Sequence, residues 1–188
     1  MKETKQEIID AAISVLNADI SAPLDFIAAK AGVSRRTLHR YFSSREELLG
    51  ACAQDMMLTW QKAMLVAYNS TRDPIEQLEQ MLYAGIDCGV KYAFLNKLRD
   101  HVDQELLQAV PDKQYEQARD KWFRRVPGLQ RKGIISRALP APWIKALFTG
   151  MITTTIEALR SGDVAPNKIK ELAWHSFSKS IGIGHQQG

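Results

Sequence analysis

IAAKAGVSRRTLHRYFSSR, residues 27–45, decides how this chain is read. Two helices that cross steeply through a turn of three or four residues need a small side chain where they touch. They also need a residue tolerant of positive φ at the turn and apolar anchors beyond it. Ala28, Gly32, Val33 and Leu38 supply these. Ser34 is placed to N-cap the second helix by accepting from the backbone N–H of Arg36 or Thr37, and Gly32 is placed to stop the first. From Lys30 to Arg45 there are five basic residues (Lys30, Arg35, Arg36, Arg40, Arg45) and no acidic one, although residues 1–50 balance seven Lys/Arg against seven Asp/Glu. Positive charge focused on one element of a helix–turn–helix points to nucleic acid. An ordinary solvated helix face explains the charge but not the turn. A helix–turn–helix used only for packing or protein contact is the remaining bland reading, since the fold alone does not establish DNA binding.

The longer run IAAKAGVSRRTLHRYFSSREELL resembles the N-terminal signature of TetR-type transcriptional repressors, an I-A-x-x-A-G-V-S-x-x-T-L-Y-x-Y-F-x-x-K-x-x-L pattern that holds the DNA-reading helix. The likeness covers about residues 6–50. It implies an all-helical homodimer whose larger C-terminal domain binds a small-molecule inducer. Two positions depart from the pattern: His39 stands where the family has Tyr, and Ala22 and Pro23 replace the hydroxyl residues that often open the first helix of the motif, leaving Ser21 as a substitute. His39 can still donate to a phosphate, with a charge that depends on pH.

Composition is consistent with this picture. A chain of 188 residues with 24% charged and 45% apolar residues is globular, enough for one to two domains and a sizeable core. No apolar run approaches the ~20 residues needed to span a membrane. MKETKQEIIDAA carries charge throughout, unlike a secretory signal, so a cytoplasmic location is expected. Cys52 and Cys88 lie far apart and outside any CxxC or Cys/His cluster, so they read as small apolar residues. The net charge of +4 favours anionic partners only weakly, and the clustering near residue 35 says more.

In chain order, Ile8, Ile9, Ala12, Ile13, Val15 and Leu16 recur at helical spacing and predict a first amphipathic helix over 3–18. Residues 24–31 and 35–42 are the next two helices, with Phe26, Ile27, Leu38 and Phe42 as core contacts. Ser43-Ser44 caps a long helix towards Tyr68, with Glu46 and Glu47 in its first turn. Asp73-Pro74 opens a helix ending near Lys91, with Ile75, Leu78, Met81, Leu82, Gly85, Ile86 and Gly89 as its apolar stripe. One or two short helices follow over 93–107. A helix from Pro111-Asp112 then carries Tyr115, Trp122 and Phe123 to Pro127-Gly128, and a second piece covers 129–132. Two helices close the chain, over 143–160 and 166–181, the β-branched run Ile152–Ile156 being helical by its flanks. The fold expected is all-α: a three-helix helix–turn–helix DNA-binding domain over 1–45, then a larger helical ligand-binding and dimerisation domain over 46–188.

Ile144, Leu147, Phe148, Met151, Thr155, Ala158 and Leu159 lie on one side of the first closing helix, and Ile169, Leu172, Ala173, Ser176 and Phe177 on one side of the second. These stripes are either intramolecular core or a four-helix bundle between subunits. The resemblance favours the homodimer, which would let two reading helices meet half-sites about 34–36 Å apart or somewhat more. Arg35 and Arg36, opening the reading helix, are the base-reading candidates, since an Arg can bond bidentately to guanine. Ser34, Thr37, His39 and Tyr41 have donors suited to phosphate oxygens, and Arg45 stands where the family pattern has its phosphate-binding Lys. Arg40 and Lys30 are read as electrostatic.

For a ligand, Trp60, Met64, Tyr83, Asp87, Trp122, Phe123, Trp143 and Met151 are the candidates. Most such residues are simply core. Asp87, between Ile86 and Cys88, must face water or find a partner, because burying it unpaired is costly. The expected pocket is mostly apolar, walled by Trp60, Tyr83, Trp122 and Trp143, and takes an aromatic or amphipathic ligand whose cationic or donor group meets Asp87. Trp60 shares the long helix with Arg45, so a ligand that shifts it would alter DNA reading. No Gly-rich phosphate loop, HExxH, GxSxG or metal-spaced cluster is present in the sequence. His101 beside Asp100 and Asp103 reads as a surface helix face. An enzyme, a metal site and a cofactor are therefore not expected. The expected partners are double-stranded operator DNA, a small-molecule inducer and a second copy of the chain, with no membrane. The rival reading is a TetR-like small-molecule- or lipid-binding protein that does not read DNA.

Overall fold

Apolar residues at intervals of three and four fold residues 2–18 into an amphipathic helix, α1 (Lys2–Ala18), on which Ile8, Ile9, Ala12, Ile13, Val15 and Leu16 are buried. The computed structural model describes residues 2–98 and 113–184. The surface helix face expected at Asp100, His101 and Asp103, and the helix start at Pro111-Asp112, lie outside them. Regular structure among the described residues is helical throughout. After α1 come α2 (Leu24–Lys30), α3 (Arg35–Tyr41), α4 (Arg45–Asn69), α5 (Pro74–Lys91), α6 (Ala93–Leu98), α7 (Lys113–Phe123), α8 (Val126–Arg131), α9 (Ala141–Ser161) and α10 (Ile169–Ser180).

The described chain divides into two compact units, one holding residues 2–59 and 91–98, the other 60–90 and 113–184. In the first, α2 packs on α1 and α3 on α2, and α6 also touches α1. Helices as short as α2 and α3 are marginal alone and depend on that docking. Ile27, Leu38, Phe42, Leu48 and Cys52 are buried as expected of a shared core. Phe26 is a correction, being 61% exposed. With Ile27 and Ala28 facing inward, a residue 100° before Ile27 and 200° before Ala28 turns to solvent.

In the second unit, Met64, Leu78, Met81, Leu82, Ile86, Trp122, Phe148, Ile152 and Phe177 belong to one buried cluster. Trp122, Phe123, Phe148 and Phe177 meet edge to face in succession, with centroids 5.2, 5.7 and 5.7 Å apart, the favoured geometry for aromatic quadrupoles. Buried Gln77 is fully used: its amide donates to the carbonyls of Tyr68 and Thr71, and its oxygen accepts from Arg125. Asp73 caps α5 by accepting from the N–H groups of Ile75 and Glu76, and Gly162 ends α9 at φ 77°.

Two helix ends differ from the sequence reading. The break before α8 falls at Arg124-Arg125 rather than at Pro127-Gly128, because Pro127 sits in the first turn of α8, where its missing N–H is not needed. Residues 166–168 form a turn, and α10 starts at Ile169. α9 packs on α10 within the chain, with Phe148 against Phe177, and Ile144, Ile152, Thr155, Ile169 and Ala173 are also buried. It leaves Trp143 and Leu172 55% and 49% exposed.

Candidate nucleic-acid interface

Gly32 takes φ +67°, and a Cβ there would meet nothing within 4 Å, so backbone conformation rather than space requires glycine at the turn. The N–H of Val33 then returns to the carbonyl of Ala28, closing the end of α2. The Ser34 hydroxyl accepts from the N–H of Thr37 at 3.1 Å and lies 2.9 Å from the Thr37 hydroxyl. These two bonds fix the start of α3. Leu38 is buried beneath it, and the exposed residues Arg35, Arg36, His39 and Arg40 recur at the spacing of a single outward face. Thr37 and Tyr41 border that face half-buried, with the Arg40 guanidinium over the Tyr41 ring at 5.3 Å.

The loop before α2 is fastened by its own polar groups. Arg45 donates to the carbonyl of Ala22 at 2.6 Å and to that of Ile20. Ser21 gives both its N–H and its hydroxyl to Asp19, and those bonds hold the Asp19 carboxyl below its ordinary range. Ser44 caps α4 through the Glu47 N–H, while the Glu47 carboxylate reaches back to the N–H and hydroxyl of Ser43. Arg35 pairs with Asp25 of α2 through two contacts of 3.1 Å. Arg36 has no such partner among the described residues.

The predicted ligand residues divide in two. Met64, Trp122 and Phe123 lie in the buried cluster of the second unit, and Trp60, Tyr83 and Met151 pack against it half-buried. Trp143 and Asp87 stand outside it, and both are exposed. Asp87 is paired with Lys170 at 2.6 Å, so it finds its cation within the chain. The Trp122 indole donates to the Pro74 carbonyl at 2.7 Å. Burial and a hydrogen bond to Glu79 both push the Tyr83 hydroxyl pKa upward. An open groove of about 530 Å³ lies elsewhere, lined by Asp120, Phe123, Arg124, Pro127, Ala141, Pro142 and Lys145, and only Phe123 of the predicted set borders it.

Residues 8–52 match the family model described as bacterial regulatory proteins, tetR family. Over this stretch the chain is similar to TetR-family regulators. It is 27% identical over 162 residues to the HTH-type transcriptional repressor LfrR of Mycolicibacterium smegmatis, covering 86% of this chain and 82% of that protein. It resembles the crystal structure of the TetR-like regulator LfrR from Mycobacterium smegmatis in complex with proflavine with a TM-score of 0.73 at 25% identity, over 96% of this chain and 97% of that one. A TetR family regulator from Marinobacter aquaeolei VT8 shares the fold, with a TM-score of 0.67 at 17% identity over 96% and 98% of the two chains.

Two features of the chain escaped the sequence reading. Asp25 lies just outside the acid-free window, and only the crossing of α2 and α3 brings it to Arg35. Gln61, next to Trp60 on α4, is 5% exposed, with its side-chain oxygen unpartnered. A polar residue one position from Trp60 and three from Met64 was the available signal.

Proposed function

We propose that the chain is a homodimeric repressor, acting in the cytoplasm, that binds operator DNA through α3 and is released by a small-molecule inducer. Residues 1–45 serve DNA and 46–188 serve ligand and dimer. The observation that carries the reading is the acid-free outward face of α3, with Arg36 unpaired and Arg35, His39 and Arg40 beside it. In the major groove, Arg35 and Arg36 reach base edges, while Ser34, Thr37, His39, Tyr41 and Arg45 donate to phosphates and Arg40 adds attraction. For Ser34 and Thr37 this means sharing the hydroxyls that cap α3, and for Arg45 sharing a guanidinium that fastens residues 20–22.

Exposed Trp143 and Leu172, with Gly150 open on the same helix as Trp143, support dimerisation through α9 and α10. An aromatic or amphipathic inducer would enter the region of Trp60, Met64, Tyr83, Trp122, Phe123 and Met151. Burying Gln61 with its oxygen unpaired is costly unless a donor arrives, which supports a ligand N–H or O–H at that atom. The relative crystallised with proflavine makes planar aromatic compounds the first to test. The experiment titrates such compounds by tryptophan fluorescence while reading affinity for DNA upstream of the gene. A coupling of about 5–150-fold in affinity is expected. A compound that binds near Trp60 and leaves DNA affinity unchanged would contradict release by inducer.

A further inference from the structure

Among the described residues, Asp25 is the one acidic side chain paired with the arginine-rich face, and it meets the residue that opens the reading helix. Its oxygens lie 3.1 Å from Nε and 3.1 Å from Nη1 of Arg35. The pair is open to solvent, with the two side chains 57% and 69% exposed, so it stands on the surface DNA would cover. An exposed ion pair adds little to folding, so its effect is to be sought where a stronger anion arrives. Arg36, one residue on, has no counterpart among the described residues and can engage either bases or phosphates.

From this asymmetry we infer that Asp25 is a specificity-determining residue that works through Arg35. The inference rests on the DNA-reading role of α3. Of its five N–H donors the guanidinium gives one, on Nη1, to the Asp25 carboxylate, whose other oxygen lies beside Nε, and the N–H groups left on Nη1 and Nη2 can meet a base acceptor without releasing Asp25. On a site that offers that acceptor in the right place, Arg35 donates to the base and keeps Asp25, and the carboxylate remains neutralised. On any other sequence the nearest acceptors are phosphates. Drawing Arg35 to one of them strips Asp25 of its cation beside the polyanion, and like-charge juxtaposition is penalised. Asp25 therefore weakens binding to wrong sequences more than binding to the right one. Positively charged reading helices otherwise gain affinity for all DNA alike.

The test compares four proteins, wild type, Asp25→Asn, Arg35→Ala and the double variant. Each is measured on a site selected by the wild type from random duplexes and on a scrambled duplex of equal length. Asp25→Asn is expected to tighten scrambled binding about tenfold and selected-site binding by less than about threefold. In the Arg35→Ala background the same change should tighten both duplexes equally. Equal tightening of both duplexes by Asp25→Asn alone would reduce its effect to net charge and overturn the inference. Loss of affinity on both, with an unchanged thermal midpoint, would also overturn it. A wild type that selects no sequence at all would instead refute the DNA-reading role.

Discussion

The side-chain amide of Asn17, at the end of α1, donates to the carbonyl of Lys91 at 2.7 Å, and its oxygen accepts the N–H of Phe94 at 3.0 Å. The last residue of α5 and the start of α6 are thus tied to the helix that underlies the helix–turn–helix. Asn17→Ala leaves two backbone groups to find other partners and is expected to destabilise this unit by about 1 kcal/mol, read from denaturant unfolding. A change within error would show that water replaces the amide without loss.

Gly85 marks a close approach of α5 to α9. A Cβ there would fall 2.5 Å from Ile152 Cδ1 and 3.1 Å from Trp60 Cη2. The isoleucine tip can yield, the indole less readily. Gly85→Ala is expected to cost about 1–3 kcal/mol by overpacking and to shift the Trp60 emission. An unchanged spectrum and stability would mean that Ile152 alone absorbs the methyl.

The Cys52 thiol is fully buried, and its pKa is pushed up to about 12, by burial first and then by the nearby carboxylates of Asp55 and Asp10. Only a thiolate attacks alkylating reagents efficiently. Native protein at mildly alkaline pH should leave Cys52 unmodified until denaturant is added, as peptide mapping after labelling would show.

Glu47 is held below its ordinary value near 4.5, first by the Ser43 hydroxyl and then by the Ser43 N–H. A carboxylate depressed in the folded state contributes stability that is fully present above its unfolded pKa and lost as pH falls through the lowered folded one. Glu47→Gln should therefore be less stable than wild type at neutral pH, with the gap closing as pH falls from the ordinary carboxylate range through the lowered folded pKa. A gap that stays constant across this range would remove the carboxylate from the α4 cap.

What was legible in the sequence was short-range chemistry. Gly32, Ser34, the Ser44 cap and Asp73-Pro74 each act on backbone within four residues, and each helix end they specify is where it was expected. Phe26 was misread because a seven-residue helix contains too few turns for periodicity to assign every face. The Arg45 contacts to the loop at residues 20–22 and the Asp87–Lys170 pair join positions 23 to 83 residues apart, and local pattern carries no information about them. Asp25 and Gln61 were missed for the same reason. One acts through a helix crossing, and the other through burial that only packing determines.

In the function proposed for this chain, α3 reads bases through its arginines while Arg45 holds position and phosphate. Selection of bound sequences from random duplex DNA, followed by affinity measurement for Arg36→Ala and Arg45→Ala on selected and scrambled duplexes, tests it most directly. Arg36→Ala should lose about 1–3 kcal/mol on the selected site and little on the scrambled one, with choice relaxed at one or two base positions. Arg45→Ala should weaken both duplexes alike, reduce the salt dependence and lower the thermal midpoint, because the loop at residues 20–22 loses its fastening. Equal losses from Arg36→Ala on both duplexes, with base preference intact, would contradict base reading by α3.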